Sequence, residues 1–132
     1  MNLIEGLNIE YIHIDTDCFE AKMNLTSFHD QTFGYLHGGA TIAFGETIAG
    51  YASNQQISND KIALGQTITA NHMKPKKNEG YMFAKGKLMH KGKASHVWSI
   101  EMFDENNSLI SHLTITNAIV DNSILMEVLK SC

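Results

Sequence analysis

Between Asp30 and Asp60 the chain carries one formally charged residue, Glu46, and within that stretch Ala40, Ala43, Phe44, Thr47, Ile48, Tyr51 and Ala52 recur at helical spacing. The spacing predicts one long helix over Ala40 to Asn54. A helix so poor in charge has no face built for water and must be covered on nearly all sides. The rest of the chain therefore has to wrap around it.

The flanking sequence offers strands for that role. Leu7 to Asp15 and Cys18 to Leu25 alternate in character, the second plainly, with Phe19, Ala21, Met23 and Leu25 set against Glu20, Lys22 and Asn24. Asp15-Thr16-Asp17 between them reads as a tight turn, so the two form a hairpin. Beyond the helix and a polar loop from Asn54 to Lys61 come four more strand candidates: Ile62 to His72, Tyr81 to His90, His96 to Asp104 and Leu109 to Val120. Their joins contain Pro75 to Gly80, Lys91 to Lys93 and Glu105 to Ser108, all turn-like. Trp98, Ile100 and Met102 alternate with Ser99 and Glu101, which favours antiparallel pairing with one solvated face. One helix against a meander of six strands, in the order β-β-α-β-β-β-β, predicts an α+β fold whose sheet curls round the helix. In residues 121–132, Ile124, Leu125, Val128 and Leu129 suggest a short amphipathic turn or helix.

The 132 residues, 43% hydrophobic and 18% charged, have the composition of one globular domain, and no repeat or linker divides them. The core is expected over about residues 7–120. No apolar run reaches membrane length, and Met1 to Leu7 carries Glu5 and no base, so neither a spanning helix nor a signal peptide is expected and the expected location is cytoplasmic. Cys18 and Cys132 form no CxxC and no disulfide framework, which fits a reducing compartment. The seven histidines (13, 29, 37, 72, 90, 96 and 112) show no metal-ligand spacing, so neither a metal nor a cofactor is expected. The net charge of −4 conceals an asymmetry: there is no arginine, and seven of the ten lysines fall between Lys74 and Lys93, opposed there only by Glu79. That window reads either as a solvated strand face or as the seat of a local polyanionic ligand, whereas nucleic-acid binding would favour a basic whole domain.

A carboxylate in the middle of a covered helix is expensive unless it is paired or used. Around Glu46 stand Gly39, Ile42, Ala43, Ala49, Gly50 and Ser53, all small but one, which leaves a groove beside it. Gly45 and Gly50 each cost about 1 kcal/mol in a helix interior relative to alanine, so a close approach is expected there. A buried pairing of Glu46, or glycines admitting another helix, would serve equally well. At the head of the helix, His37-Gly38-Gly39 leaves backbone N–H groups approachable and adds the positive end of the macrodipole, the geometry that stabilises an oxyanion. Gly38 and Glu46 stand about 12 Å apart along a helix, so one carbonyl cannot touch both in the same chain. If both act on it, the glutamate comes from a second, antiparallel copy, and the site lies at a homodimer interface.

The segment LHGGATIAFGETIAGYAS, the strand ending TANHMKP and the segment LMHKGKASHVWSIEMFDENN together resemble the hot-dog fold acyl-CoA thioesterases of the PaaI-like superfamily. The resemblance extends over roughly Leu7 to Val120. It is strongest to the branch of 1,4-dihydroxy-2-naphthoyl-CoA hydrolases and glutamate-dependent 4-hydroxybenzoyl-CoA thioesterases. It implies a long central helix wrapped by a curved antiparallel sheet, an acyl-CoA substrate with an aromatic or medium-sized acyl group, and a homodimer that pairs again as a dimer of dimers. It also implies site residues. Glu46 would be nucleophile or general base, Gly38 the oxyanion donor, His37 a residue that helps place the thioester, and Gln31 the group that orients carbonyl or water. Gly65, His72, Met73, Lys74 and Pro75, with His90, Lys91, Gly92, Lys93, Ala94 and Ser95, would bind the pantetheine arm and nucleotide of CoA. Lys74, Lys91 and Lys93 then become phosphate partners, by single contacts in place of arginine's bidentate fork. The chain departs from the family in starting almost directly at its first strand and in having Gly50 where many members have Ser or Thr. A non-catalytic acyl-CoA-binding module and an enoyl-thioester hydratase or dehydratase are the alternatives.

Overall fold

The computed structural model describes residues 1–123, so the turn or helix expected around Ile124 to Leu129 lies outside the described residues. The elements are α1 (Leu3–Leu7), β1 (Ile9–Ile14), β2 (Cys18–Asn24), a 3-10 turn (Ser27–His29), α2 (Gly38–Asn54), β3 (Lys61–His72), β4 (Tyr81–Lys91), β5 (Ser95–Phe103) and β6 (Leu109–Asp121). The long helix and all six strands stand where the sequence periodicity places them, within one or two residues at most ends. The short α1, capped by Asn2, precedes the first strand, where the sequence reading expected a direct start.

All neighbouring strands are antiparallel, in the order β1-β2-β4-β5-β6-β3. A plain meander is therefore corrected at one point. After β2 the chain runs as α2 across one face of the sheet and delivers β3 to the far edge, so β2 pairs with β4 and β3 pairs with β6. Local alternation specifies that a segment is a strand; it does not specify which strand lies beside it, because the crossing helix decides that.

The inward rows read from the alternation, Phe19, Ala21 and Met23 on β2 and Trp98, Ile100 and Met102 on β5, are essentially inaccessible, and Leu113 and Ile115 of β6 join them. Against them α2 turns Phe44, Gly45, Ile48, Ala49, Ala52 and Ser53. Gly45 brings the helix close, since a Cβ there would lie 2.6 Å from Leu113 Cδ2. Among the described residues nothing covers the other face of α2: Glu46, Tyr51 and Asn54 are exposed. Nearly complete coverage was the expectation; one sheet can cover only one side of a cylinder. No helix among the described residues is long and apolar enough to cross a membrane.

One polar cluster sits inside this core. Ser53 Oγ accepts from Trp98 Nε1 (2.9 Å) and from Asn117 Nδ2 (3.2 Å), which also donates to the Ala49 carbonyl. Both lone pairs of the hydroxyl are then used, so its proton goes to His96 Nδ1 at 2.8 Å. That makes His96 a neutral imidazole protonated on Nε2. Burial, with Lys91 and His90 nearby, pushes its pKa below the ordinary 6.5. The unfolded chain then takes up this proton first as pH falls, so the contribution to stability is full above pH 6.5 and is lost as the pH falls towards the folded value. Denaturant unfolding at a series of pH values should show that loss in the native protein and a flatter profile in His96→Gln. Ser53→Ala, which strands two buried donors and an imidazole nitrogen, should cost about 2–3 kcal/mol.

Candidate active site

The head of α2 has an account for each of its first N–H groups. His37 is the N-cap, and its Nδ1 accepts from Gly39 N–H at 2.9 Å. The N–H groups of Ala40 and Thr41 donate to the His37 carbonyl at 3.0 and 3.3 Å. Gly38 N–H has no acceptor among the described residues. A free donor at a helix N-terminus is a site for negative charge. Gly38 needs its missing side chain, because a Cβ would lie 2.9 Å from Nε2 of His72, whose ring is held by a 2.9 Å hydrogen bond between Nδ1 and Ser111 Oγ.

The loop leading into this helix is fastened on itself and to its neighbour. Gln31 Oε1 accepts from the backbone N–H groups of Phe33 and Tyr35, which leaves its amide donors without a partner among the described residues. Leu36 N–H donates to the Lys76 carbonyl at 2.8 Å, and Asn78 reaches the Gly34 carbonyl, the Thr26 carbonyl and Asp30. Lys76 is buried, and its ammonium contacts Glu105 Oε1 at 2.7 Å and the Glu79 carbonyl at 2.9 Å. Glu105 also accepts from Tyr81 N–H at 2.9 Å. Partial burial opposes ionisation of this carboxyl, but Lys76 and Tyr81 N–H outweigh it and hold its pKa below the usual value. Gln31, Gly38, His72, Met73, Lys74 and Pro75 together line a cavity of about 350 Å³.

Glu46 stands elsewhere, two turns further along α2. Its carboxylate rests on Gly65 of β3, where a Cβ would lie 2.5 Å from Oε2. Gly65 is also where β3 bulges against β6. Small size at position 65 is thus what gives the carboxylate its place. The groove around it, about 670 Å³ and largely apolar, is lined by Leu3 and Ile4 of α1, Tyr11 of β1, Thr47, Gly50 and Tyr51 of α2, and Leu64 of β3. Tyr11 and Tyr51 pack with ring centroids 4.5 Å apart. Burial, then Tyr51, pushes the Tyr11 phenol pKa up. A Cβ at Gly50 would meet nothing within 4 Å among the described residues, so that glycine widens the groove.

The residues expected to form one site therefore fall into three places. Gln31, His37, Gly38 and the His72 to Pro75 stretch surround the helix head; Glu46 and Gly65 share the second groove; His90 to Ser95 form the β4–β5 turn and line neither cavity. That turn closes through Gly92 N–H donating to the Ser95 carbonyl at 2.8 Å. The lysine window is not one patch either. Lys76 is used internally, Lys85 faces Glu20 and Glu101 across β2 and β5, Lys74 lies in the connection between β3 and β4, where its N–H donates to the Ile110 carbonyl, and Lys91 is the last residue of β4. The tyrosine pair and α1 escape sequence reasoning, because only the fold brings residues 3, 4, 11 and 51 together. The one local signal was Tyr51, five positions beyond Glu46.

The Thioesterase superfamily profile matches residues 33–111. The 1,4-dihydroxy-2-naphthoyl-CoA hydrolase of Escherichia coli is 35% identical over 119 residues, covering 90% of this chain and 87% of that one. The Lactococcus lactis protein YhdA superposes with a TM-score of 0.88 at 46% identity, covering 92% of this chain and 99% of the other. A thioesterase of Staphylococcus aureus does so with a TM-score of 0.84 at 35% identity, over 89% and 97%. This chain belongs to the thioesterase superfamily, with its hot-dog α+β fold. Its activity is the hydrolysis of thioesters.

Glu105→Gln removes the carboxylate opposite a buried ammonium and should destabilise the protein by about 2 kcal/mol, discounted for the half-open position of Glu105. Hydrogen exchange at the Leu36 amide should speed up with it. Because the Glu105 pKa is lowered, its contribution is present above the ordinary carboxylate value of 4.5 and is lost as pH falls through the lowered folded value.

Proposed function

We propose that the protein hydrolyses an acyl-CoA with an aromatic or medium-sized acyl group at composite sites, each built from two chains of a homodimer. The observation that carries this reading is the division of the groups on α2. Gly38 N–H and Glu46 lie in separate cavities about 12 Å apart along one helix, and neither cavity alone holds both an oxyanion donor and a carboxylate. Two helices packed antiparallel bring the Glu46 of one chain to the Gly38 of the other. Among the described residues the outer face of α2 and the edge of β3, the last strand of the sheet, have no partner, and such pairing would cover them.

In that arrangement the thioester carbonyl oxygen points at Gly38 N–H and the positive end of α2, which stabilises the charge that develops on it. Gln31, with its amide donors free, orients the carbonyl or the attacking water, and His37 keeps the first turn in shape by holding Gly39 N–H. Glu46 acts on the carbonyl carbon directly or removes a proton from water. The C–S bond breaks; on the water route the thiolate leaves as CoA–SH with the proton that Glu46 took, and on the direct route one water hydrolyses the Glu46–acyl anhydride, giving the acid its hydroxyl and the thiolate its proton. The apolar groove with its tyrosine pair takes the acyl group. Support for an aromatic one comes from the E. coli relative, named as a hydrolase of 1,4-dihydroxy-2-naphthoyl-CoA. The S. aureus thioesterase has been crystallised with a glutamine and, separately, with a glutamate replaced by alanine, the residue types given roles here at positions 31 and 46. His72 to Pro75 receive the pantetheine arm, with Lys74 at the phosphates. The His90 to Ser95 turn, with Lys91 and Lys93, would reach the nucleotide from another chain, as in a dimer of dimers.

Thiol release measured across benzoyl, phenylacetyl, hydroxynaphthoyl and straight-chain CoA thioesters should show the aromatic substrates turned over best. Glu46→Gln should lower kcat by several orders of magnitude while the chain stays folded and paired; near-native kcat would remove the central claim. Gly65→Val, which pushes the carboxylate aside, should lower kcat with little change in the unfolding midpoint. Mixing Glu46→Ala chains with Gly38→Pro chains tests the two-chain geometry. Gly38→Pro deletes the N–H and also sets a Cβ against His72, so it disables the Gly38 side of a site, and random heterodimers carry one intact site and recover roughly a quarter of native activity. No recovery from demonstrably mixed dimers would overturn the shared site.

A further inference from the structure

We propose that the tip of the β1–β2 hairpin binds a divalent d-block cation of the zinc type, held by His13 Nε2, a carboxylate oxygen of Asp15 and the Cys18 thiolate, with water completing the shell. The three ligand atoms lie within 4.8 Å of one another, and His13 Nε2 stands 3.8 Å from Asp15 Oδ2. Zinc bonds of about 2.0–2.3 Å place neighbouring ligands of a tetrahedral ion about 3.3–3.7 Å apart, so side-chain rotation alone closes the cluster. The donor set is one imidazole, one thiolate and one carboxylate, which favours zinc over the oxygen-seeking magnesium and calcium.

The backbone beneath the cluster is held from several sides. A bulge in β1 between Tyr11 and His13 sets the register at the hairpin end, with His13 opposite Glu20. Asp15 N–H donates to the Cys18 carbonyl at 2.9 Å and closes the turn. Thr16 N–H occupies Asp15 Oδ1 at 2.7 Å, leaving Oδ2 for the ion. Gln56 Nε2 donates to the Thr16 carbonyl at 2.7 Å and Leu88 N–H to the Asp17 carbonyl at 2.8 Å, so the segment just past α2 and strand β4 both anchor the tip. The His13 and Asp15 side chains are more than half exposed, open to an ion from solvent.

The surrounding charge also favours a cation. Asp17 and Glu20 flank Cys18, while from β4 Lys87 faces Cys18 and Lys85 faces Glu20. Binding breaks the Cys18 S–H bond, forms the metal–sulfur bond and releases the proton to solvent. None of the three ligands lines the Glu46 groove or the Gly38 cavity, so the site stands apart from thioester hydrolysis.

Chelator-treated protein titrated with Co²⁺ alone should bind a single cobalt per chain, with a thiolate-to-cobalt charge-transfer band and tetrahedral d–d bands, and Zn²⁺ should displace it. Cys18→Ser should abolish the charge-transfer band, His13→Ala should weaken binding roughly tenfold or more, and Cys132→Ser should leave both unchanged. Absence of the band, its survival in Cys18→Ser, or displacement by Mg²⁺ as readily as by Zn²⁺ would overturn the site. Thiol release from acyl-CoA by Cys18→Ser, followed alongside, should match the native rate.

Discussion

The close seating of α2 on the sheet is the constraint from which the rest follows. Gly45 lets the helix backbone approach Leu113, and Ser53, two turns on, is tied to His96, Trp98 and Asn117. Two such anchors on one face leave the helix no freedom to rotate. With 3.6 residues per turn, the residues left facing away are Glu46, Gly50, Tyr51 and Asn54. The same seating sets Gly38 over His72 and Glu46 over Gly65, so β3 supplies the floor under both groups.

A second theme is the use of polar groups to free one donor. His37 takes Gly39 N–H and its carbonyl takes the next two, while Gln31 spends its side-chain oxygen on its own loop. Among the described residues Gly38 N–H and the Gln31 amide are left without a partner, both on the cavity by the helix head. Lys76 shows the same economy from the other side. Sequence charge alone made it one of a run of lysines, yet its ammonium is buried against Glu105 and its carbonyl holds Leu36.

Much of this was open to reading in the sequence, and the reasons for the exceptions are physical. The period of α2 and the alternation of β2 and β5 are local properties of side chains, and all appear where expected. The strand order does not, because β3 reaches the far edge only by virtue of the helix crossing the sheet. Glu46 stands out as the lone charge in an apolar stretch, but the pattern predicts buried surroundings, whereas among the described residues Glu46 is exposed. The residues that shape its groove, Leu3, Ile4 and Tyr11, lie some forty positions away and carry no signal of their own. His13, Asp15 and Cys18 show no helical ligand spacing for a related reason: the hairpin brings the three together across its two strands.

What the sequence by itself determined was the kind of element at each position, the one carboxylate on the helix, the glycines at its head and the family to which these belong. Those depend on periodicity, charge and residue size, which are written residue by residue. Only the tertiary structure decided which face of α2 is open, that Gly38 and Glu46 occupy separate cavities, and that the lysine window is split between a buried ion pair, a charge ladder and two distant turns. Each of these depends on contacts between residues far apart in the chain, and such contacts exist only once the helix has taken its place on the sheet.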